Sequence, residues 1–286
     1  MPNQKNKVKT EKSDTWQTAF AKRWVKYWVE PARPTKSELA FIKLALQKRM
    51  RKNQELRVLV LGSTSEYRDM LIELKAKYPT IVDFSAKNYQ ILSGAMKYRR
   101  QYTKSERFVE DNWIKMRLRE QFDVIMGDAV INVISRQDCE PFFKNMARHL
   151  KQNGIFLAKT WVRFSDVPPY TDVQIVSKFR KEIKKTDFLA RVTQLFYLVD
   201  YDYKGDHCEM KKMHERMRRL YEHKFISKRE WEYARKLGAD VTPFRFHFPR
   251  KDWLEKKLKK YFKILARKYD DFYYPGYHPT YVLSKK

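Results

Sequence analysis

The apolar run Val58-Leu59-Val60-Leu61 ends on Gly62, and a carboxylate, Asp83, follows 21 residues later at the close of a second such run. A glycine directly after a buried strand lets the backbone, and the N-terminus of the next helix, come close to a ligand. An acid about twenty residues further on accepts hydrogen bonds from ribose hydroxyls. A third run, Arg107-Phe108-Val109, leads into Asp111-Asn112-Trp113, which offers a polar and aromatic wall. Each residue also has an ordinary structural reading: a tight turn for Gly62, a strand-end acid for Asp83, a helix cap or turn for Asp128, a core aromatic for Trp113. Order and spacing together favour a nucleoside site.

The elements that must position these residues are legible as an alternation of short apolar runs and helical stretches from Arg57 to Trp161, the pattern of a parallel sheet covered on both faces. Strands are predicted at Val58 to Leu61, Thr80 to Phe84, Arg107 to Val109, Phe122 to Met126 and Ile155 to about Thr160. Helices are predicted around Tyr67 to Tyr78, at Lys87 to Tyr98, and after a capping Ser135, the last closed by Gly154 as its C-cap. Ahead of this core, Trp16, Phe20, Trp24 and Trp28 recur every four residues along one stripe of a helix. Pro31 and Pro34 end it, and Thr35 with Glu38 forms a capping box for a second helix carrying Leu39, Ile42 and Leu46. Beyond Trp161, charged helical segments around Gln174 to Lys185 and Glu209 to Lys236 read as a cap. A last helix with Trp253, Leu258 and Phe262 then leads to strands near Phe262 to Lys268 and Thr280 to Leu283. The expected fold is α/β and Rossmann-like, with about seven mostly parallel strands. It divides into a disordered basic tail (1–14), a helical preamble (15–56), the binding core (57–162), a helical cap (163–249) and a C-terminal helix and strands completing the sheet (250–286).

Within this frame the motifs resemble those of the Rossmann-like S-adenosylmethionine-dependent methyltransferases, in the branch whose first motif has the form LGxTxE. Leu61-Gly62-Ser63-Thr64-Ser65-Glu66 is similar to that motif, with Ser65 where proline is common. Val82-Asp83-Phe84-Ser85 is similar to the second motif, Glu110-Asp111-Asn112-Trp113 to the family's GDW segment lining adenine, with one residue more, and Phe122 to Asn132 to the family's FDxVxGDxxxN. Arg148 to Gly154 resembles the turn before the fifth strand. The resemblance implies S-adenosylmethionine as cofactor, held by Gly62, Ser63, Thr64, Glu66, Asp83, Phe84, Ser85, either Asp111 or Asn112, Trp113 and Asp128. Methyl transfer from a sulfonium is an in-line displacement in which orientation supplies much of the acceleration, so a dedicated base is optional. Asp128, Asn132, Trp161 and Arg163 are the candidates near the acceptor. A single glycine in the first loop counts against a dehydrogenase, whose G-x-G-x-x-G turn seats a pyrophosphate.

Charge is the other unusual feature: 62 Lys and Arg against 34 Asp and Glu leave +28. Residues 1–56 hold 14 basic and 5 acidic residues, residues 57–162 hold 18 and 12, and residues 163–286 hold 30 and 17, so the excess flanks the core. Such a charge attracts polyanions, which makes RNA a candidate partner, although a solubility-driven surface has the same composition. The basic aromatic runs Lys211 to Lys236 and Arg250 to Lys268 suit amphipathic helices with a solvated face. Only Cys139 and Cys208 are present, giving neither a disulfide framework nor a zinc motif, and His207, Cys208 and His214 read as ordinary residues of a charged helix. No metal is expected. Val167-Pro168-Pro169-Tyr170 lacks the polar first residue of the D/N/S-P-P-Y motif of base-methylating enzymes and reads as a rigid loop. Met1 to Asp14 has no secretory apolar stretch, and no apolar run approaches a bilayer span, so a cytoplasmic protein without a membrane partner is expected. The favoured function is methylation of a small molecule. The alternatives are RNA methylation through the basic flanks, and a non-catalytic nucleic-acid-binding protein on the same fold.

Overall fold

A computed structural model of the chain describes residues 18–51, 55–164, 171, 173–174, 176–177, 180, 188, 192–193, 201–204, 206–238, 245–269 and 276–286. Its centre is a seven-stranded sheet. In chain order, β1 (Val58–Leu61), β2 (Thr80–Asp83), β3 (Arg107–Glu110), β4 (Phe122–Asp128) and β5 (Leu150–Lys159) are followed by a short pair, β6 (Cys208–Glu209) and β7 (Arg245–Phe246), and then by β8 (Phe262–Tyr269) and β9 (Pro279–Lys285). The sheet runs β3-β2-β1-β4-β5-β9-β8, parallel from β3 to β5, with β9 antiparallel to both neighbours. Chain order reverses between β1 and β4, which opens a crevice at their C-terminal ends, where ligands bind in open α/β sheets. This is the expected Rossmann-like methyltransferase fold.

Period-two alternation assigns each strand residue to one of two cores. Val58 and Val60 of β1, Val124 and Met126 of β4, and Ile155 and Leu157 of β5 share a core with Ile42, Leu46, Tyr67 and Leu71. These come from helices α2 (Lys36–Met50) and α3 (Ser65–Glu73). Leu59 and Leu61, Ile125, and Phe156 and Ala158 point the other way. There they meet Phe142, Phe143 and Met146 of α6 (Cys139–His149) and Leu254 and Leu258 of the helix Lys251–Tyr261. Burial on both faces explains why the strands read as continuous apolar runs rather than as alternating ones.

A third core lies outside the sheet. Phe20 and Trp28, at and just beyond α1 (Thr18–Tyr27), pack with Met210, Met213 and Met217 of α7 (Met210–Glu222) and with Ala234 and Leu237 at α8 (Lys228–Lys236). The aromatic stripe is thus the seam between the N-terminal helix and the cap: Trp24 stacks on Trp28 at 4.6 Å, and Trp28 Nε1 donates to the Leu237 carbonyl at 3.1 Å. Trp16, the first residue of the stripe, the cap helix expected at 174–185 and the loop 167–170 lie wholly or largely outside the described residues. Helix α2 starts as expected, with Thr35 accepting from the Glu38 N–H at 3.2 Å and Glu38 reaching back to the Thr35 N–H.

Several boundaries differ from the expectation. Helix α3 ends at Glu73, short of Tyr78, because Lys75 and Tyr78 both adopt positive φ. Helix α4 (Ala86–Ser93) stops at Gly94 rather than reaching Tyr98, and a one-turn helix, α5 (Tyr102–Ser105), precedes β3. Gly154 is not a helix C-cap: α6 ends at His149 and Leu150 enters β5 with extended backbone. The register against β4 steps from Phe122↔Leu150 to Val124↔Ile155, so Lys151 to Gly154 form an irregular stretch within the strand. The last helix, α9 (Lys251–Tyr261), and the closing strands β8 and β9 fall where the sequence places them. Among the described residues, no helix is long and apolar enough to cross a membrane.

Candidate functional site

A cleft open to solvent lies over the ends of β1, β2 and β4. Its floor begins at the turn after β1. Gly62 has φ of +80°, a conformation that side-chain-bearing residues rarely adopt, and its N–H donates to the Val82 carbonyl at 2.8 Å. Ser63, Thr64 and Glu66 continue the wall around the start of α3, where Thr64 occupies the N-cap position without a side-chain cap bond. From β2 come Asp83, Phe84 and Ser85. The Asp83 carboxylate accepts from the Ser63 hydroxyl and from the Phe84 N–H at 2.7 Å. Burial pushes its pKa up, and the hydrogen bonds from Ser63, Phe84 and Ser85 oppose that rise. Ser85 also caps α4, accepting from the Asn88 N–H at 3.2 Å.

Trp113 lies against the Gly62 turn, where a Cβ on Gly62 would come 3.6 Å from its ring. Its indole N–H donates to the Val82 carbonyl at 2.8 Å, its own carbonyl accepts from the Asn145 amide at 2.8 Å, and its ring lies 4.8 Å from that of Phe84. Asp111 and Asn112, expected in the wall beside Trp113, do not line the cleft. Asp111 caps the Asn112 N–H, and Asn112 accepts from the Ile114 N–H at 2.9 Å, so both shape the turn that presents Trp113.

Asp128, at the end of β4, sits over a buried ion cluster. The Lys159 ammonium lies 3.2 Å from both Asp128 and Glu38 and donates to the carbonyls of Pro31 and Arg33 at 3.0 and 3.1 Å. Tyr67 donates to the other Glu38 oxygen at 2.8 Å. Burial raises the pKa of Glu38 to about 7, with Lys159 opposing it. Burial also raises Asp128, again against Lys159. Burial disfavours the Lys159 ammonium, but Asp128 and Glu38 outweigh it and hold its pKa above the ordinary range. The cluster fastens the 31–38 segment to the ends of β4 and β5, and so brings Trp24, Val25, Arg33 and Pro34 into the wall of the cleft. The sequence hinted at this twice, through a lysine in the apolar run Ile155-Phe156-Leu157-Ala158-Lys159 and an acid in a capping box, yet Glu38, Lys159 and the lining residues Arg33, Asn88, Val133 and Phe246 were not among the site candidates.

The other acceptor candidates are engaged elsewhere. Asn132 is fully buried: its carbonyl oxygen accepts from Trp161 N–H at 2.9 Å and its amide donates to the Trp161 and His247 carbonyls, each at 2.8 Å. Trp161 stacks on Phe248 at 5.7 Å and meets the edge of His278 at 4.0 Å. Arg163 pairs with buried Asp206 at 2.7 Å, where His247 also bonds at 2.9 Å. Burial would raise Asp206, but His247 and Arg163 hold its pKa well below the usual carboxylate range. None of the three lines the cleft. His207 bonds Glu209 at 3.2 Å and His214 lies against Trp231. Among the described residues, no group of three or more His, Cys, Asp or Glu is placed to hold a metal.

No protein-family model and no curated protein sequence matches the chain. Solved structures share its fold. The CcbJ methyltransferase from Streptomyces caelestis is similar at a TM-score of 0.56 and 12% identity, over 93% of this chain and 98% of that one. A Rhodobacter sphaeroides protein named for the Zn-dependent alcohol dehydrogenases gives 0.56 and 17%, over 94% and 99%. An S-adenosylmethionine-dependent methyltransferase from Clostridium acetobutylicum gives 0.48 and 14%, over 85% and 90%. The two likenesses at 0.56, at identities this low and under names of differing activities, establish a shared fold and leave the activity to be argued from the site.

Proposed function

We propose that the chain binds S-adenosylmethionine in this cleft and transfers its methyl group to a small, largely apolar acceptor. The observation that carries the reading is the convergence of the Gly62 turn, the Asp83 carboxylate and Trp113 on one hollow at the switch point of the sheet. These residues fit an adenosine: a backbone turn without a side chain in the way, a carboxylate for ribose hydroxyls, and the Trp113 and Phe84 rings as an apolar wall. One glycine followed by Ser63 to Glu66 suits a ligand without a pyrophosphate better than a dinucleotide. S-adenosylmethionine bound there would supply a sulfonium-activated methyl group to the acceptor's lone pair, the S–CH3 bonding pair returning to sulfur so that the rest of the donor leaves as a neutral thioether.

The chain's own part is to bind, orient and balance charge. Glu66, Asp83 and Asp128 give the lining three carboxylates against one guanidinium, Arg33, in a chain of net charge +28. That balance favours a cationic donor and disfavours a phosphate chain, which is why a small molecule is preferred to RNA as acceptor. Trp24, Val25, Val133 and Phe246, which also line the cleft, supply an apolar surface for the acceptor's body. Incubation with methyl-labelled donor and a panel of apolar amines, phenols and structured RNA tests the reading. Label in the small acceptors supports it; label in RNA alone overturns the acceptor assignment.

A further inference from the structure

S-adenosylmethionine carries, besides its nucleoside, an amino-acid end with one ammonium and one carboxylate. The ammonium has an evident counterpart in Glu66 or Asp128. The carboxylate has a problem: a cleft lined by three acids repels it, and a buried anion without a cation is costly. Arg33 is the one cationic residue among the described residues that line the cleft. Lys159 lies beneath the lining, 1% exposed and committed to Asp128 and Glu38.

Resting on the donor reading above, we propose that Arg33 holds the α-carboxylate of the methyl donor, with Glu66 exchanging its bond to Arg33 for one to the donor's ammonium. The guanidinium already holds a carboxylate at the cleft, that of Glu66. Its Nε and Nη2 both approach one Glu66 oxygen, at 2.6 Å each, and Nη1 makes no hydrogen bond among the described residues. Side-chain exposure of 23% for both residues places the pair at the cleft surface rather than in the core. Both lie close enough to Asp128 to act on its carboxylate electrostatically. The backbone behind Arg33 is pinned by the Lys159 bonds to the Pro31 and Arg33 carbonyls, and by the capping box that starts α2. A planar fork held from a fixed point suits bidentate recognition of a carboxylate, which a flexible lysine does not reproduce.

Equilibrium dialysis with two probes tests this: S-adenosylhomocysteine, which keeps the amino-acid end, and 5′-deoxy-5′-methylthioadenosine, which lacks it. Arg33→Gln is expected to weaken S-adenosylhomocysteine about 10- to 100-fold, the range for a hydrogen-bonded charge, and to leave methylthioadenosine within about twofold. Arg33→Lys should recover only part of the loss. The methyl ester of S-adenosylhomocysteine gives a second measurement on the unmodified chain: it should bind about as weakly as the parent ligand binds Arg33→Gln, and esterification should cost the Arg33→Gln chain nothing further. Equal weakening of both probes by Arg33→Gln, or full-strength binding of the ester to the unmodified chain, overturns the assignment. An unmodified chain that binds neither probe overturns the donor reading and this inference with it, a pattern distinct from either.

Discussion

The cleft and the C-terminal edge of the sheet carry opposite electrostatics within one chain. Three carboxylates and one guanidinium line the cleft. At the edge, α9 and β8 present Lys256, Lys259, Lys260 and Lys263 to solvent, and Glu140, Asp252 and Glu255 answer the basic residues there as ion-pair partners. Net charge is a property of the exterior. The residues that would meet a donor sit at strand ends, where desolvation makes a single carboxylate count for far more than a solvated lysine. The basic edge sets the field that a polyanion in solution would meet, and the acidic cleft sets the field that a ligand would enter.

Removing the cation under the cleft should have the largest effect. Lys159→Met leaves Asp128 and Glu38 buried without their partner, and urea unfolding should show a loss of about 3–5 kcal/mol. A loss below about 1 kcal/mol would mean that the cluster does not hold the 31–38 segment. Next in size, Asp83→Ala should weaken both S-adenosylhomocysteine and methylthioadenosine by about 1.5–3 kcal/mol. Calorimetric titration reads this, and loss of the amino-acid-bearing ligand alone would move the nucleoside away from Asp83.

A smaller effect follows from Glu38, whose folded-state pKa of about 7 lies above the ordinary 4.5. Between these values the folded state binds more protons than the unfolded one, so the contribution of Glu38 to stability is greatest below pH 4.5 and falls as pH rises to about 7. Glu38→Gln should therefore match the unmodified chain near pH 5 and gain on it near pH 8. Chemical denaturation at the two values checks this, and a constant difference between the chains contradicts it. Least of all, replacing Lys256, Lys259 and Lys263 by Gln should change stability by no more than about 0.5 kcal/mol per site and leave ligand binding untouched. Retention on a polyanion column at low salt should fall. A change in ligand affinity would show that edge and cleft are coupled.

The sheet was legible because burial on both faces leaves near-continuous apolar runs such as Val58 to Leu61, and the placing of Gly62, Asp83 and Trp113 along one cleft was legible because they sit at fixed steps along those runs. Gly127 adds a signal of the same kind, since a Cβ there would lie 2.7 Å from Val130. What the sequence hid was contact between distant segments. Arg33 and Trp24 precede the sheet by more than twenty residues and reach the cleft through contacts with distant chain: Lys159 at the end of β5 bonds the Pro31 and Arg33 carbonyls, and Trp24 stacks on Trp28, which bonds the Leu237 carbonyl. Asn132 and Arg163 looked like acceptor residues because they follow strand ends. Their partners, His247 and Asp206, come from chain more than forty residues away, and no local pattern announces them.

The most direct test is a crystal structure of the chain saturated with S-adenosylhomocysteine. The account predicts ligand density over the ends of β1, β2 and β4, with the ribose hydroxyls on Asp83 and the base against Trp113. Density at any other place, or an empty cleft at saturating ligand, would contradict it.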